Sequence, residues 1–127
     1  MVDPSLTVVA VGGDGDGYGI GMGHFIHSCR RDLDITYIVF NNENYALTTG
    51  QASPTTPIGA VTKTTPSGNT TLPFDPVELA KHAGCSFATH AIDTKFADLK
   101  ETIKAAIQHK GFSLIDVGQA CPSYKRW

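Results

Sequence analysis

The sequence predicts an α/β domain, a mostly parallel sheet with helices on both faces. Two observations carry this. Short apolar runs rich in β-branched residues alternate with stretches whose apolar residues recur at helical spacing. The first two runs are also joined by a glycine-rich turn and one helix-length segment, the spacing of a right-handed βαβ unit. With 127 residues, the chain makes one domain, 1–127.

The elements follow in order. Leu6–Gly12 (LTVVAVG) reads as a strand buried on both faces. After the glycines, Met22, Phe25, Ile26 and Cys29 fall at i, i+3, i+4 and i+7, one apolar helix face, and Arg30 and Arg31 suit its C-terminal dipole. Ile35–Phe40 (ITYIVF) is the next buried strand. From Thr48 to Pro73 the chain turns rich in Thr, Pro and Gly. This is a long loop of the functional kind, with a surface excursion as the alternative. Asp75, Pro76 and Glu78 form an N-terminal capping pattern, and that helix ends near Gly84. Cys85–Ile92 is a third strand. Phe96, Leu99, Ile103, Ala106 and Ile107 line a further helix that Gly111 can stop, and Phe112–Val117 is the fourth strand.

Composition excludes several classes. A net charge of −2 with no basic stripe is no nucleic-acid footprint. No apolar run is long enough to span a membrane, and MVDPSLTVV carries no signal-peptide pattern. Three widely spaced cysteines, Cys29, Cys85 and Cys121, make a poor disulfide framework and suit a reducing, cytoplasmic setting.

The chemistry gathers at two places. GGDGDGYGIG follows the first strand, and Asn41-Asn42 follows the second. The ends of neighbouring parallel strands lie together, so Asp14 and Asn42 can share one hard cation. The glycines let backbone N–H groups approach a phosphate. Neither the Rossmann nor the Walker A spacing is present. Asp14 and Asp16 would repel a phosphate unless Mg²⁺ stood between them. Read alone, the turn is also consistent with a tight strand–helix junction capped by Asp14. His24, one turn on, is a candidate for a supporting role, and with His27 and Cys29 for a weaker metal site. His82, His90 and His109 read as surface or satisfied core residues, and Trp127 has no readable role.

GDG, an intervening stretch, then NN is the thiamine-diphosphate motif. The string from about Val8 to Thr56, with CPSY at Cys121–Tyr124, resembles the β subunit of 2-oxoacid:ferredoxin oxidoreductases, pyruvate synthase included. The resemblance implies a thiamine-diphosphate-binding fold. It implies Mg²⁺ held by Asp14, the Asn42 side chain and the Asn44 carbonyl. Gly13, Gly15 and Asp16, with Tyr45, Ala46, Leu47 and Thr48, would contact the diphosphate or line its pocket. Thr48–Thr56 looks like the family's loop beside the substrate. Ala46 stands where the family often has Gly. The implied reaction is oxidative decarboxylation of a 2-oxoacid, with electrons leaving through iron–sulfur clusters to ferredoxin and the acyl group passing to coenzyme A. Partner α/γ-type subunits are implied, and the glutamate that activates the cofactor comes from another domain or chain, so no catalytic side chain is assigned here. Glu43 would point elsewhere, and Glu78 and Glu101 read as cap and solvent face. Cys121 matches a cluster ligand, but a [4Fe–4S] cluster needs four. The family's region with three more cysteines has no counterpart before Leu6, so the domain reads as incomplete. A non-oxidative thiamine-diphosphate domain and a non-catalytic subunit-interaction remnant are the alternatives.

Overall fold

A computed structural model of the chain describes residue 3 and residues 5–124. Trp127, like Met1, Val2 and Pro4, lies outside the described residues.

Among the described residues, six strands and three α-helices form. They are β1 (Val9–Gly13), α1 (Met22–Arg31), β2 (Thr36–Asn41), β3 (Asn44–Tyr45), β4 (Gln51–Ala52), α2 (Pro76–His82), β5 (Phe87–Ile92), α3 (Phe96–Gln108) and β6 (Ser113–Gly118). The main sheet is parallel, in the order β1-β2-β6-β5. β3 and β4 pair antiparallel on their own.

Alternation along the central strands explains the layers. Val39 and Leu114 face α1 and α2, packing with Phe25, Cys29, Val77 and Ala80. Ile38, Ile115 and Val117 point the other way, onto Leu99, Ile103 and Ala106 of α3. Helices therefore cover both faces, as the right-handed crossovers require. Cys29 and Cys85 are both buried in the first core, where the Cys85 thiol donates to the Phe87 and Phe112 carbonyls at 3.1 and 3.2 Å, and none of the three cysteines is in a disulfide.

Three expectations need correction. The first strand is not buried on both faces. β1 is the sheet's edge, and Val11 is 62% exposed. A continuous apolar run reports strand tendency, not position in the sheet. Phe96 and Ile107 do not join the core face of α3; Phe96 is exposed at its first turn and Ile107 near its end. Gly111 does not stop α3 directly. The helix ends where His109 turns extended, and Gly111, at φ +107°, makes the turn into β6. A Cβ there would strike the Asp32 carboxylate, which accepts the Phe112 N–H at 2.9 Å. The cap of α2 is as read: Asp75 accepts the N–H groups of Val77 and Glu78 at 2.8 and 3.0 Å, with Pro76 at N1.

Apart from β4, the stretch 48–73 is irregular but pinned. Asn69, buried, donates its amide to the carbonyls of Thr56 and Thr71 at 2.8 and 3.0 Å. The wholly buried Thr56 donates its hydroxyl to the Glu43 carbonyl. The loop is thus tied to the segment leaving β2.

Candidate functional site

Parallel register brings the two motif segments together. Gly13 pairs with Phe40, so Asp14, just past β1, lies beside Asn41, the last residue of β2, and Asn42 at the sheet's C-terminal edge. There the chain takes one turn of π-helix, Gly15–Ile20, before α1. That turn has no sequence signature beyond its glycines. Its close packing needs them: a Cβ on Gly15 would run into the Tyr45 ring.

Asp14 is 2% exposed. One carboxylate oxygen accepts the Asn42 N–H at 3.3 Å, the other the Thr55 hydroxyl at 3.2 Å. Burial raises its pKa, while hydrogen bonds from Ser53, Asn42 and Thr55 work against that. Beyond Asn42, Glu43 adopts a left-handed backbone, φ 60°. This bends the chain back, and the Asn42 side-chain oxygen accepts the Asn44 N–H at 3.2 Å. The Asn44 side chain donates to the Asn42 carbonyl at 3.0 Å. Its Oδ1 is buried and, among the described residues, has no hydrogen-bond partner.

These residues wall a cleft of about 470 Å³. Gly13, Asp14, Gly15 and Asp16 form one side, and Asn42, Asn44 and Tyr45 through Thr48 the other. The structure therefore collects around one cleft the residues that the sequence singles out for the cation and the diphosphate; Cys121 is not among its lining residues. At its mouth Ile20 and Leu47 are 87% and 99% exposed. The oxygen set is hard: one carboxylate, one amide, one main-chain carbonyl. With the orphaned Asn44 side-chain oxygen at the wall, this donor chemistry suits a divalent cation. Among the described residues no three His, Cys, Asp or Glu side chains converge on a metal, so His24, His27 and Cys29 form no such cluster. Cys29 lies in the core, and His24 borders a separate hollow beside Asp16 and Tyr37. Cys121 is buried just beyond β6.

Behind Asp14 runs a polar chain that sequence reasoning missed. The Thr55 hydroxyl also lies 2.8 Å from the Asn41 side-chain oxygen. The Asn41 amide nitrogen lies 3.2 and 3.3 Å from the two oxygens of Asp116, on β6. Asp116 is 4% exposed. It accepts the Tyr18 hydroxyl at 2.8 Å and meets His90 Nδ1 at 3.1 Å. Burial raises the Asp116 pKa, opposed by hydrogen bonds from Tyr18, His90 and Asn41. His90 Nε2 is 3.2 Å from Asp75, so this exposed, satisfied histidine joins α2 to the buried acid. A second cleft, about 530 Å³, opens there between Asn41, Thr55, His90 and Asp116. One signal was available in the sequence: an aspartate inside the apolar run FSLIDVG.

The fold is an α/β domain whose cleft lies at the carboxyl ends of parallel strands, where open α/β sheets bind their ligands. Residues 1–117 match the model of the thiamine pyrophosphate enzyme C-terminal TPP binding domain, and the chain belongs to that family. It is 45% identical over 126 residues to the 2-oxoglutarate synthase subunit KorB of Archaeoglobus fulgidus, covering 99% of this chain and 47% of that protein. It is 48% identical over 124 residues to the 2-oxoacid:ferredoxin oxidoreductase subunit beta of Saccharolobus solfataricus, covering 98% and 41%. Among solved structures, a 2-oxoglutarate:ferredoxin oxidoreductase from Magnetococcus marinus, with 2-oxoglutarate, coenzyme A and succinyl-CoA bound, superposes with a TM-score of 0.96. Identity to it is 37%, over 98% of this chain and 43% of that one. The chain thus spans less than half the length of these relatives. No helix among the described residues is long and apolar enough to cross a membrane.

Proposed function

We propose that the chain supplies the diphosphate- and cation-binding half of the thiamine-diphosphate site in a 2-oxoacid:ferredoxin oxidoreductase β subunit. The observation that carries this is the convergence of Asp14, Asn42 and Asn44 on one cleft at the ends of β1 and β2. Asp14, the Asn42 amide oxygen and the Asn44 carbonyl would hold Mg²⁺. Gly13, Gly15, Asp16 and the segment from Tyr45 to Thr48 would enclose the diphosphate. The bound cofactor supplies the electron sink that lets a 2-oxoacid lose CO₂. The chain's own residues bind and orient: Asp14 brings the charge that a cation needs beside a diphosphate, and the Tyr45 ring seals one wall.

The exposed Ile20 and Leu47 at the cleft mouth support a site completed by another domain or subunit, which would bring the activating glutamate. In that assembly Cys121 is one ligand of a [4Fe–4S] cluster whose other ligands come from elsewhere. Electrons pass to ferredoxin and the acyl group to coenzyme A. Three cysteines outside disulfides suit this cytoplasmic setting.

The test is calorimetric titration of thiamine diphosphate into the complete oxidoreductase, with and without Mg²⁺. Asp14→Ala and Asn42→Ala are expected to abolish the Mg²⁺-dependent part of binding. Binding that both substitutions leave intact refutes the cation site.

A further inference from the structure

We infer that Asp116, acting through Asn41 and Thr55, is a positioning residue for Asp14, holding that carboxylate in the geometry that receives the cation. The inference rests on the cation-site reading above and extends it to residues that do not line the cofactor cleft.

The argument is one of proton accounting. Thr55 has one hydroxyl proton and three oxygens within reach: Asn41 Oδ1 at 2.8 Å, Asp14 Oδ2 at 3.2 Å and the Ser53 hydroxyl at 3.3 Å. Asn41 is the nearest and takes the larger share, while the longer contact fixes the rotation of the Asp14 carboxylate and leaves Oδ2 a lone pair for a cation. This holds only while the Asn41 amide keeps its orientation. Asp116 fixes that: its two oxygens lie 3.2 and 3.3 Å from Asn41 Nδ2, a placement only the nitrogen can fill. The Glu43 N–H, donating to Asn41 Oδ1 at 3.1 Å, demands the same orientation. A reversed amide would set oxygen against carboxylate and NH₂ against the Glu43 N–H. It would also turn the Thr55 proton onto Asp14, in competition with the metal. Asp116 is itself immobilised by Tyr18 and by His90. β6 thereby holds a ligand on the far side of β2, through a chain in which every link is buried. Partners behind a metal ligand of this kind typically change metal affinity about ten- to a hundredfold.

The test uses the complete oxidoreductase with thiamine diphosphate present and Mn²⁺ in place of Mg²⁺. Bound Mn²⁺ is read by electron paramagnetic resonance, independently of turnover. Thr55→Val and Asp116→Leu are each expected to weaken Mn²⁺ binding about tenfold. The double variant should be little weaker than either single one, because both cut the same chain. Asp116→Asn keeps an oxygen for Asn41 and should recover most of the affinity, which a purely structural loss would not predict. Wild-type Mn²⁺ affinity in Thr55→Val overturns the inference, as do losses that multiply in the double variant. Should Asp116→Leu fail to fold, Thr55→Val and Asp116→Asn decide alone: weakened and near wild-type binding, respectively, support the chain, and any other pair of results overturns it. Asp14→Ala in the same assay separates the two claims. If it binds Mn²⁺ normally, the cation site itself is wrong. If it does not while Thr55→Val does, only the positioning role falls.

Discussion

Replacing Tyr18 by Phe isolates one hydrogen bond of the polar chain and gives it a measurable pH dependence. Tyr18 is 1% exposed and stays buried as Phe, wedged edge-on against Phe25 at 5.5 Å and Phe74 at 6.1 Å. What is lost is the 2.8 Å bond to Asp116. A hydrogen bond to a charged group is worth about 1.5–3 kcal/mol and one between neutral groups about 1. We expect a destabilisation of about 2 kcal/mol at pH 7, roughly 8 °C in Tm for a chain of this length. The sign with pH follows from Asp116. Burial raises its pKa in the folded state, against the pull of its hydrogen bonds. The folded state therefore resists the ionised form. This residue favours folding at low pH and costs stability as pH rises from the unfolded value, about 3.9, through the raised native one. Removing Tyr18 removes a donor that holds the native value down, so the substitution must cost more at pH 7 than at pH 4. Denaturant unfolding of both proteins at the two pH values is the assay. A cost below about 0.5 kcal/mol at pH 7, or an equal cost at both, refutes the reasoning, since neither fits loss of a bond to a buried carboxylate.

Two further substitutions probe the scaffold. Gly111→Ala must place a Cβ on the Asp32 carboxylate at φ +107°, and we expect a loss of about 1–3 kcal/mol in chemical unfolding. Asp75→Ala removes the N-cap of α2 at a cost of about 1 kcal/mol at neutral pH. Burial alone would raise the Asp75 pKa, but the N–H groups of Glu78 and Val77 and the His90 ring outweigh it and lower it. The stabilisation is therefore present above the unfolded carboxylate value and is lost as pH falls through the lowered native one. Unfolding titrations should show wild type and variant converging only below about pH 4.

Much of this architecture is legible in the sequence, and for definite reasons. LTVVAVG, ITYIVF and FSLIDV announce strands because β-branched runs suit a sheet covered on both sides. Met22, Phe25, Ile26 and Cys29 announce α1 by their period. Asp14, Asn42 and Asn44 are legible because consecutive parallel strands deliver their ends to the same edge. Sheet order is not legible: nothing in Val9 or Val11 says that β1 ends the sheet. The polar chain is not legible either. Thr55, Asn41, Asp116 and His90 come from four separate segments and become neighbours only once β6 inserts between β2 and β5. The π-helical turn is hidden because glycines license many backbones and specify none.

The edge position of β1 bears on how the polypeptide behaves at the bench. Beyond β1 no strand among the described residues takes up its outward N–H and C=O groups. Leu6, Val8, Val9 and Val11 stand exposed along the same ribbon. An uncovered, apolar, extended border is a template for adding further chains, and a net charge of −2 supplies little mutual repulsion to oppose it. We therefore expect this border of the sheet to contribute to self-association in concentrated samples of this chain. A lysine placed on that border should prolong shelf life more than any repacking of the interior.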